Sequence, residues 1–174
     1  RRISRLIAHF GSAEAALAAA PRGWTRAGLD PARSGEPPPA DADSVEADIR
    51  WLEAPAHHLL CLGDDDYPPM LAPLEGAPAA LFVAGDPALL WHAQVAVVGS
   101  RNPTAGGRDN AADFAGELAR AGLVITSGLA AGIDAAAHAA ALDAGGTTIA
   151  VMGTGPDQIY PASNRRLAAR IAGD

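Results

Sequence analysis

The sequence contains no lysine, a single cysteine and few aromatic residues. Because Cys61 is alone, it cannot form an internal disulfide, which is typical of a reducing compartment, and we interpret it as a small buried apolar residue. Aromatic residues account for only 5% of the chain, so stacking on nucleobases must be sparse in any nucleic-acid complex. No apolar run approaches the ~20 residues of a membrane span and we find no secretory signal, so we expect a cytoplasmic protein with no membrane partner.

The composition is that of a folded protein with an uneven charge. Apolar residues make up 49% and charged residues 19% of the 174 residues, enough for a core in about one domain plus a small extra one. The net charge of −7 is concentrated in residues 30–98, which carry −10, whereas residues 1–29 carry +4 and residues 99–174 carry −1. The overall acidity therefore does not exclude a polyanionic partner at either end of the chain.

The first 29 residues are predicted to form two short helices. Apolar residues from Ile3 to Phe10 have helical spacing, Gly11 ends this helix, and Ser12 caps a second helix that includes residues 15–20. Such a pair is typical of a helix–hairpin–helix unit that binds the DNA backbone, and equally of a plain helical packing module. Residues 30–44 are rich in proline and are predicted to be a linker or mobile loop.

The middle of the chain contains histidines and aspartates, but not with the spacing of a metal site. His57 and His58 are adjacent in a predicted strand over residues 57–62, so their side chains point to opposite faces. Residues 64–66 are three consecutive aspartates without the spacing of a known calcium loop. We therefore predict no metal ion. A helix over residues 45–52 and a strand over residues 80–84 are also predicted.

Three apolar runs, each followed by a glycine-rich turn, dominate the second half of the chain. The runs are rich in β-branched residues, do not alternate with polar residues, and are separated by alanine-rich helical stretches; they are residues 95–98, 123–126 and 147–151. Runs without alternation are typical of strands covered on both faces. The repeated order of strand, turn and helix predicts an α/β fold, namely a doubly wound, mainly parallel sheet of the Rossmann-like type.

The glycine-rich turns are the candidate binding site. In a parallel sheet they gather beyond the carboxyl ends of the strands, where ligands bind and where helix N-termini point N–H groups at anions. Arg101 is the cation in this predicted phosphate-binding crevice, although it could instead pair with a neighbouring acid. The candidate phosphate-binding residues are Gly99, Ser100, Arg101, Ser127, Gly128, Gly132, Gly153 and Gly155. The glycine patterns of nicotinamide and ATP sites are absent, so we predict no cofactor.

Two further features near these turns each allow two interpretations. Asp134 and His138 are four residues apart on one helix face and could form a catalytic relay, but no nucleophile accompanies them. We therefore favour a structural pair that fixes the helix start and lines the crevice, and we predict no catalytic residue. Tyr160 either stacks on a base or closes the core. Asn164 is predicted to cap a last helix.

Several motifs together resemble one known family, that of DNA-processing protein A, also called Smf. The resemblance is close over residues 63–172 and loose over residues 1–60, where that family often has a small helical domain of the sterile-alpha-motif-like or hairpin type. It is carried by VAVVGSRNPTAGG (95–107), SGLAAGIDAAAHAAAL (127–142) and TIAVMGTGPDQIYPASN (148–164). The resemblance implies a helical domain with a Pro-rich linker over residues 1–53 and a Rossmann-like DNA-binding domain over residues 54–174.

The resemblance also implies a function. Members of this family bind single-stranded DNA during natural transformation, protect the incoming DNA, help to load the RecA recombinase and usually dimerise, without acting as enzymes. Family members bind the phosphates of the DNA at the turn that corresponds to residues 99–101, and the turn at residues 127–132 lies beside it. The alternative is a nucleotide-binding protein or a nucleoside-monophosphate phosphoribohydrolase on a related fold.

The sequence departs from the family in two places. Where members usually carry an arginine between the SGLA and GID elements, this chain has Ala131. The chain also begins with Arg1 rather than Met and ends at Asp174, before an Arg-Asn-Arg motif and further strands of the family. We therefore expect the natural N-terminus to be missing and the chain to be truncated at its C-terminus.

Overall fold

A computed structural model describes residues 2–19, 23–24, 41–155 and 157–173. The chain divides into two compact units, Arg1–Val83 and Ala84–Asp174. These units meet at a different point from the predicted boundary after residue 53, and the predicted assignment of domains stays a prediction. Most of the predicted linker, residues 30–40, lies outside the described residues.

The first unit begins with the two predicted helices, α1 (Arg2–Phe10) and α2 (Ala13–Ala18). Gly11 follows α1 with a φ of +85°, and the Ser12 hydroxyl oxygen accepts a hydrogen bond of 3.0 Å from the Ala15 amide, so both predicted helix signals are confirmed. A small core of Leu6, Ala16 and Trp24 joins these helices. The Trp24 indole also donates a 2.7 Å hydrogen bond to the Ala16 carbonyl.

The rest of the first unit consists of helix α3 (Ala42–Leu52) and strands β1 (His57–Cys61) and β2 (Ala80–Ala84), which pair with each other. The helix α3 starts three residues earlier than predicted, because Asp41 caps it by accepting hydrogen bonds from the Asp43 amide and the Ser44 hydroxyl. Cys61 is only partly buried, contrary to the prediction. Burial, and secondarily the carboxylates of two nearby aspartates, raises the pKa of its thiol.

The second unit contains a parallel three-stranded sheet. Its strands are β3 (Gln94–Ala96), β4 (Val124–Ser127) and β5 (Thr148–Ala150), in the spatial order β3-β4-β5. In the register, Val95 lies opposite Ile125 and Thr126 lies opposite Ile149. The predicted α/β fold with a parallel sheet is confirmed; β3 and β5 are shorter than the apolar runs that predicted them, and β4 has the predicted length but lies one residue later.

A helix follows each of these strands, as predicted. These helices are α4 (Ala105–Arg120), α5 (Ile133–Asp143) and α6 (Arg165–Ala172), with short 3₁₀ helices at Pro87–Trp91 and Ala162–Asn164. The core between α4, α5 and β4 is formed by Ile125 and alanines of the two helices, with small side chains that let the helices approach each other closely. None of the described helices is long and apolar enough to cross a membrane.

The strands differ in how far they are covered. Val124 and Ile125 are consecutive and both fully buried, so β4 is covered on both faces, as predicted for all three strands. For β3 the prediction is wrong, because its alternate residues Gln94 and Ala96 are exposed. Just beyond β3 and β5, Val98 is 74% exposed and Val151 is 62% exposed. Position in the sheet explains the difference, since β4 is central and β3 lies at an edge of the described sheet.

Candidate functional site

Loop 1 (residues 97–104) follows β3 and leads into α4. The Thr104 hydroxyl oxygen caps α4 by accepting a 3.1 Å hydrogen bond from the Gly107 amide. The Ser100 hydroxyl oxygen accepts a 3.0 Å hydrogen bond from the Asn102 amide, which leaves the hydroxyl proton of Ser100 available to a ligand. Arg101 lies within the turn that the Ser100–Asn102 hydrogen bond closes, and it is exposed. Loop 1 is therefore held in shape by its own side chains and presents Arg101 to solvent.

Loop 2 (residues 128–132) follows β4 and is bonded directly to loop 1. The Ile133 amide donates a 3.1 Å hydrogen bond to the Ser100 carbonyl. Gly132 has a φ of +87°, and a Cβ there would lie 2.8 Å from the Arg101 carbonyl oxygen and closer still to that of Ser100. A Cβ on Gly99 would lie 2.8 Å from the Ile133 side chain. These two glycines therefore allow close packing between the loops, and their predicted contact with phosphate stays a prediction.

Two backbone N–H groups of loop 2, those of Gly128 and Ala130, are bonded within the protein. One carboxylate oxygen of Asp134 accepts hydrogen bonds from the amides of Gly128, at 3.1 Å, and Ala130, at 3.3 Å. A buried carboxylate thus occupies the position in which an anionic ligand of loop 2 would lie. Ser127 is also buried, and its hydroxyl donates a 2.6 Å hydrogen bond to the Val97 carbonyl. These contacts give Ser127 a structural function, and its predicted contact with phosphate stays a prediction.

Asn164 fixes the other side of loop 2. Its side-chain amide donates hydrogen bonds to the carbonyls of Leu129, at 2.8 Å, and Ala130, at 3.3 Å. Leu129 has a φ of +58°, which is unfavourable for a residue with a side chain, but its side chain is fully buried. Asn164 occupies the predicted cap position of α6, but its side chain makes no capping hydrogen bond there, because it is used on loop 2.

Loop 3 (residues 151–161) completes a pocket of about 220 Å³ with loops 1 and 2. Its lining residues are Arg101 from loop 1; Gly128, Ala130 and Ala131 from loop 2; and Met152, Gly153, Thr154, Tyr160 and Pro161 from loop 3. Within the described residues, the Arg101 guanidinium has no ion pair and no hydrogen bond, so the alternative in which it pairs with a neighbouring acid has no support. The pocket thus combines an unpaired cation with an apolar and aromatic wall.

The structure brings some of the predicted site residues together and separates others. Arg101, Gly128 and Gly153 line the pocket, whereas Gly99, Ser100, Ser127, Gly132 and Gly155 support it from outside its lining. A Cβ on Gly155 would lie 2.9 Å from a carboxylate oxygen of Asp157. The site prediction omitted Tyr160, which is 68% exposed and therefore does not close the core. Its position after a glycine turn was the signal that could have included it.

Asp134 and His138 do not form the predicted pair. No hydrogen bond joins them in the described structure, and His138 is fully buried, so the prediction that it lines the crevice is wrong. The Nδ1 atom of His138 lies 2.6 Å from the Thr148 hydroxyl oxygen, which itself donates its proton over 2.5 Å to the Ile125 carbonyl. Nδ1 must therefore carry the proton and donate it, which leaves Nε2 as an unprotonated acceptor.

The environment of His138 keeps it neutral. Its Nε2 atom is buried and has no partner among the described residues. Desolvation by burial lowers the pKa of His138 to about 4, against the opposing effect of the Asp134 carboxylate. A neutral histidine held in the core has no access to a substrate, so this geometry gives no support to a catalytic relay. Among the described residues, no group of three or more His, Cys, Asp or Glu side chains could hold a metal ion.

Comparison with protein families and solved structures gives consistent matches. Residues 58–174 match the model of the family described as DNA recombination-mediator protein A. Protein Smf of Escherichia coli is 45% identical over 128 residues, which cover 74% of this chain and 34% of the relative. The DNA processing protein DprA of Streptococcus pneumoniae is 49% identical over 111 residues, which cover 64% of this chain and 39% of the relative. The chain thus spans between a third and two fifths of the length of these relatives.

Two solved structures resemble the chain. The X-ray structure of DNA processing protein A from Streptococcus pneumoniae matches with a TM-score of 0.71 and 31% identity, over 98% of this chain and 59% of that protein. The structure of DNA processing protein A from Helicobacter pylori matches with a TM-score of 0.59 and 33% identity, over 67% of this chain and 51% of that protein. The two matches extend the sequence similarity to the arrangement of the fold.

Proposed function

The chain belongs to the family of DNA recombination-mediator protein A, and from this premise we propose that it binds single-stranded DNA with a backbone phosphate against Arg101. The observation that carries the proposal is the unpaired Arg101 guanidinium in the wall of the pocket formed by the three loops. Arginine binds phosphate through paired N–H donors, and this cation is not neutralised within the described residues. The relative from Helicobacter pylori binds single-stranded DNA.

The phosphate contact should depend on side chains of loop 1 more than on the N–H groups of Gly128 and Ala130. The Asp134 carboxylate already accepts hydrogen bonds from the Gly128 and Ala130 amides, so loop 2 does not offer these donors to a phosphate. Among the described residues that line the pocket, Arg101 is the one cation, and the free hydroxyl proton of Ser100 adds a second donor nearby. We therefore propose that the pocket holds a single phosphate of the strand.

We also infer a function for the protein as a whole. It protects incoming DNA in natural transformation, helps to load the RecA recombinase, acts as a homodimer in the cytoplasm, and works by binding rather than by catalysis. Family membership supports this proposal, since the relatives are recombination-mediator proteins. Asp134 is hydrogen-bonded to loop 2 and His138 to Thr148, which supports the proposal that the protein works without catalysis.

The direct test is the variant Arg101→Ala, measured by a gel shift or by fluorescence anisotropy with a single-stranded oligonucleotide. A charge-assisted hydrogen bond contributes about 1.5–3 kcal/mol, so we expect affinity at about 0.1 M salt to fall about tenfold or more. Loss of one phosphate contact should also reduce the slope of log K against log salt concentration by about 0.7. Because Arg101 is exposed and its guanidinium has no ion pair or hydrogen bond within the described residues, thermal unfolding should be unchanged.

Arg120→Ala is the matched control. It removes the same charge from the last residue of α4, where Arg120 pairs with Glu117 at 2.5 Å. A 16-residue helix places this residue about 22 Å from the loop 1 end, well beyond the Debye length of about 10 Å at 0.1 M salt. Equal losses in both variants, or no loss in Arg101→Ala with the fold intact, would refute the assigned site. Release of free base from nucleoside monophosphates would instead favour the phosphoribohydrolase alternative.

A further inference from the structure

The second unit exposes all of its aromatic side chains. Residues 84–174 contain three aromatic residues, and Trp91, Phe114 and Tyr160 are 53%, 70% and 68% exposed. The core does not need them, because alanines and Ile125 fill the space between α4, α5 and β4. An aromatic ring left in water loses the free energy that its burial would provide. Of the three rings, Tyr160 is the one that lines the pocket with Arg101.

Tyr160 belongs to a braced segment. Within loop 3, the Thr154 hydroxyl donates a 2.7 Å hydrogen bond to the Gln158 carbonyl, and the Gln158 amide donates a 3.0 Å hydrogen bond to the Gly155 carbonyl. After Tyr160, a 3₁₀ helix leads to Asn164, which binds the carbonyls of loop 2. The backbone around the ring is thus tied to the wall of the pocket, while no hydrogen bond of the Tyr160 hydroxyl occurs within the described residues.

The pocket wall therefore has two chemically different parts. Arg101 supplies a cation, and Tyr160 supplies a flat aromatic ring, with the apolar side chains of Met152 and Pro161 in the same lining. A nucleotide has the same two parts, since it joins an anionic phosphate to a flat aromatic base. Aromatic rings that bind single strands stack on bases with little dependence on sequence, because every base has a π-face.

We propose that Tyr160 is the platform on which one nucleobase stacks when the adjoining phosphate binds Arg101. This inference rests on the proposed function and adds the recognition of a base to that of the backbone. The pocket would then bind one phosphate and one neighbouring base of a single strand. A duplex would bind worse, because its bases are already paired and stacked. The preference for single strands would then arise in part at this ring.

The test compares an oligothymidylate with a strand of equal length in which the central nucleotides are abasic. Tyr160→Ala should weaken binding of the oligothymidylate about fivefold or more, the usual effect of removing one stacked base contact, and should leave binding of the abasic strand unchanged. Tyr160→Phe should retain binding within about twofold, because it keeps the ring. The salt dependence should stay the same in both variants, since neither changes a phosphate contact.

Phe114→Ala is the matched control, because it removes an equally exposed ring that does not line the pocket. It should change binding of neither strand. The inference is overturned if Tyr160→Ala binds the oligothymidylate as well as the unchanged protein does, or if it weakens both strands equally. In either case the salt-dependent loss in Arg101→Ala would still stand, so the proposed function would survive. If the unchanged protein binds neither strand, both proposals fail together.

Discussion

Acid should destabilise this protein through one buried histidine. His138 is fully buried, uses Nδ1 to bind Thr148, and has an unprotonated Nε2 with no partner in the described part of the chain. Protonation would place a positive charge on a fully buried ring that has no acceptor at that nitrogen among the described residues. Burial accordingly lowers the pKa of His138 from 6.5 to about 4, despite the opposing effect of Asp134.

The sign and size of the effect follow from this difference in pKa. Between pH 6.5 and about pH 4 the unfolded chain binds more protons at this residue than the folded chain does, so the free energy of unfolding decreases as the pH falls. The contribution is fully present above pH 6.5 and is lost as the pH falls to about 4. At about 1.4 kcal/mol per pH unit, the loss totals about 3 kcal/mol over that interval.

The assay is urea unfolding at a series of pH values for the unchanged protein and for His138→Leu. Carboxylates elsewhere titrate in both proteins, so the difference between the two free energies of unfolding isolates residue 138. We expect this difference to change by about 3 kcal/mol between pH 7 and pH 4, in the direction that favours the leucine variant in acid. If the leucine variant does not fold, His138→Gln replaces it. A difference that does not vary with pH would refute the neutral, buried state of His138.

Three further predictions test the loops, the first with a control substitution in α4. Gly132→Ala should lower the free energy of unfolding by about 2 kcal/mol or more, because its φ of +87° and the loop 1 backbone leave no place for a Cβ. Gly106→Ala is the control in the same urea titration. It should be neutral or slightly stabilising, since a Cβ there meets no atom within 4 Å. Asp134→Asn should mainly lower stability, by about 1–2 kcal/mol, since it weakens two buried hydrogen bonds without removing their geometry; a large loss of DNA affinity at unchanged stability would contradict this. Ala131→Arg should strengthen binding of single-stranded DNA and steepen its salt dependence by about 0.7, because residue 131 is exposed in the pocket lining; unchanged affinity would show that the strand does not pass this wall.

Local sequence signals determined the plan of the fold. The three β-branched runs predicted the strands of the parallel sheet, and the residues that cap and end helices predicted where several helices begin and end, as at Ser12 and Gly11. These signals are local because a strand or a capped helix depends on a few neighbouring residues. For the same reason Arg101, which lies in the glycine-containing turn after a strand, could be assigned to the crevice from the sequence.

Tertiary packing decided how the site works. The sequence could not show that the Asp134 carboxylate accepts hydrogen bonds from the Gly128 and Ala130 amides. Nor could it show that the loop 1 backbone leaves no room for a Cβ at residue 132. Both contacts depend on how the segments pack in three dimensions. From the sequence alone, Tyr160 could either close the core or stack on a base. Only the structure shows that alanines fill the core and that the ring stays outside it. Residue types and local order thus fixed which elements form, whereas contacts between distant segments determined which donors, cations and rings remain free for a ligand.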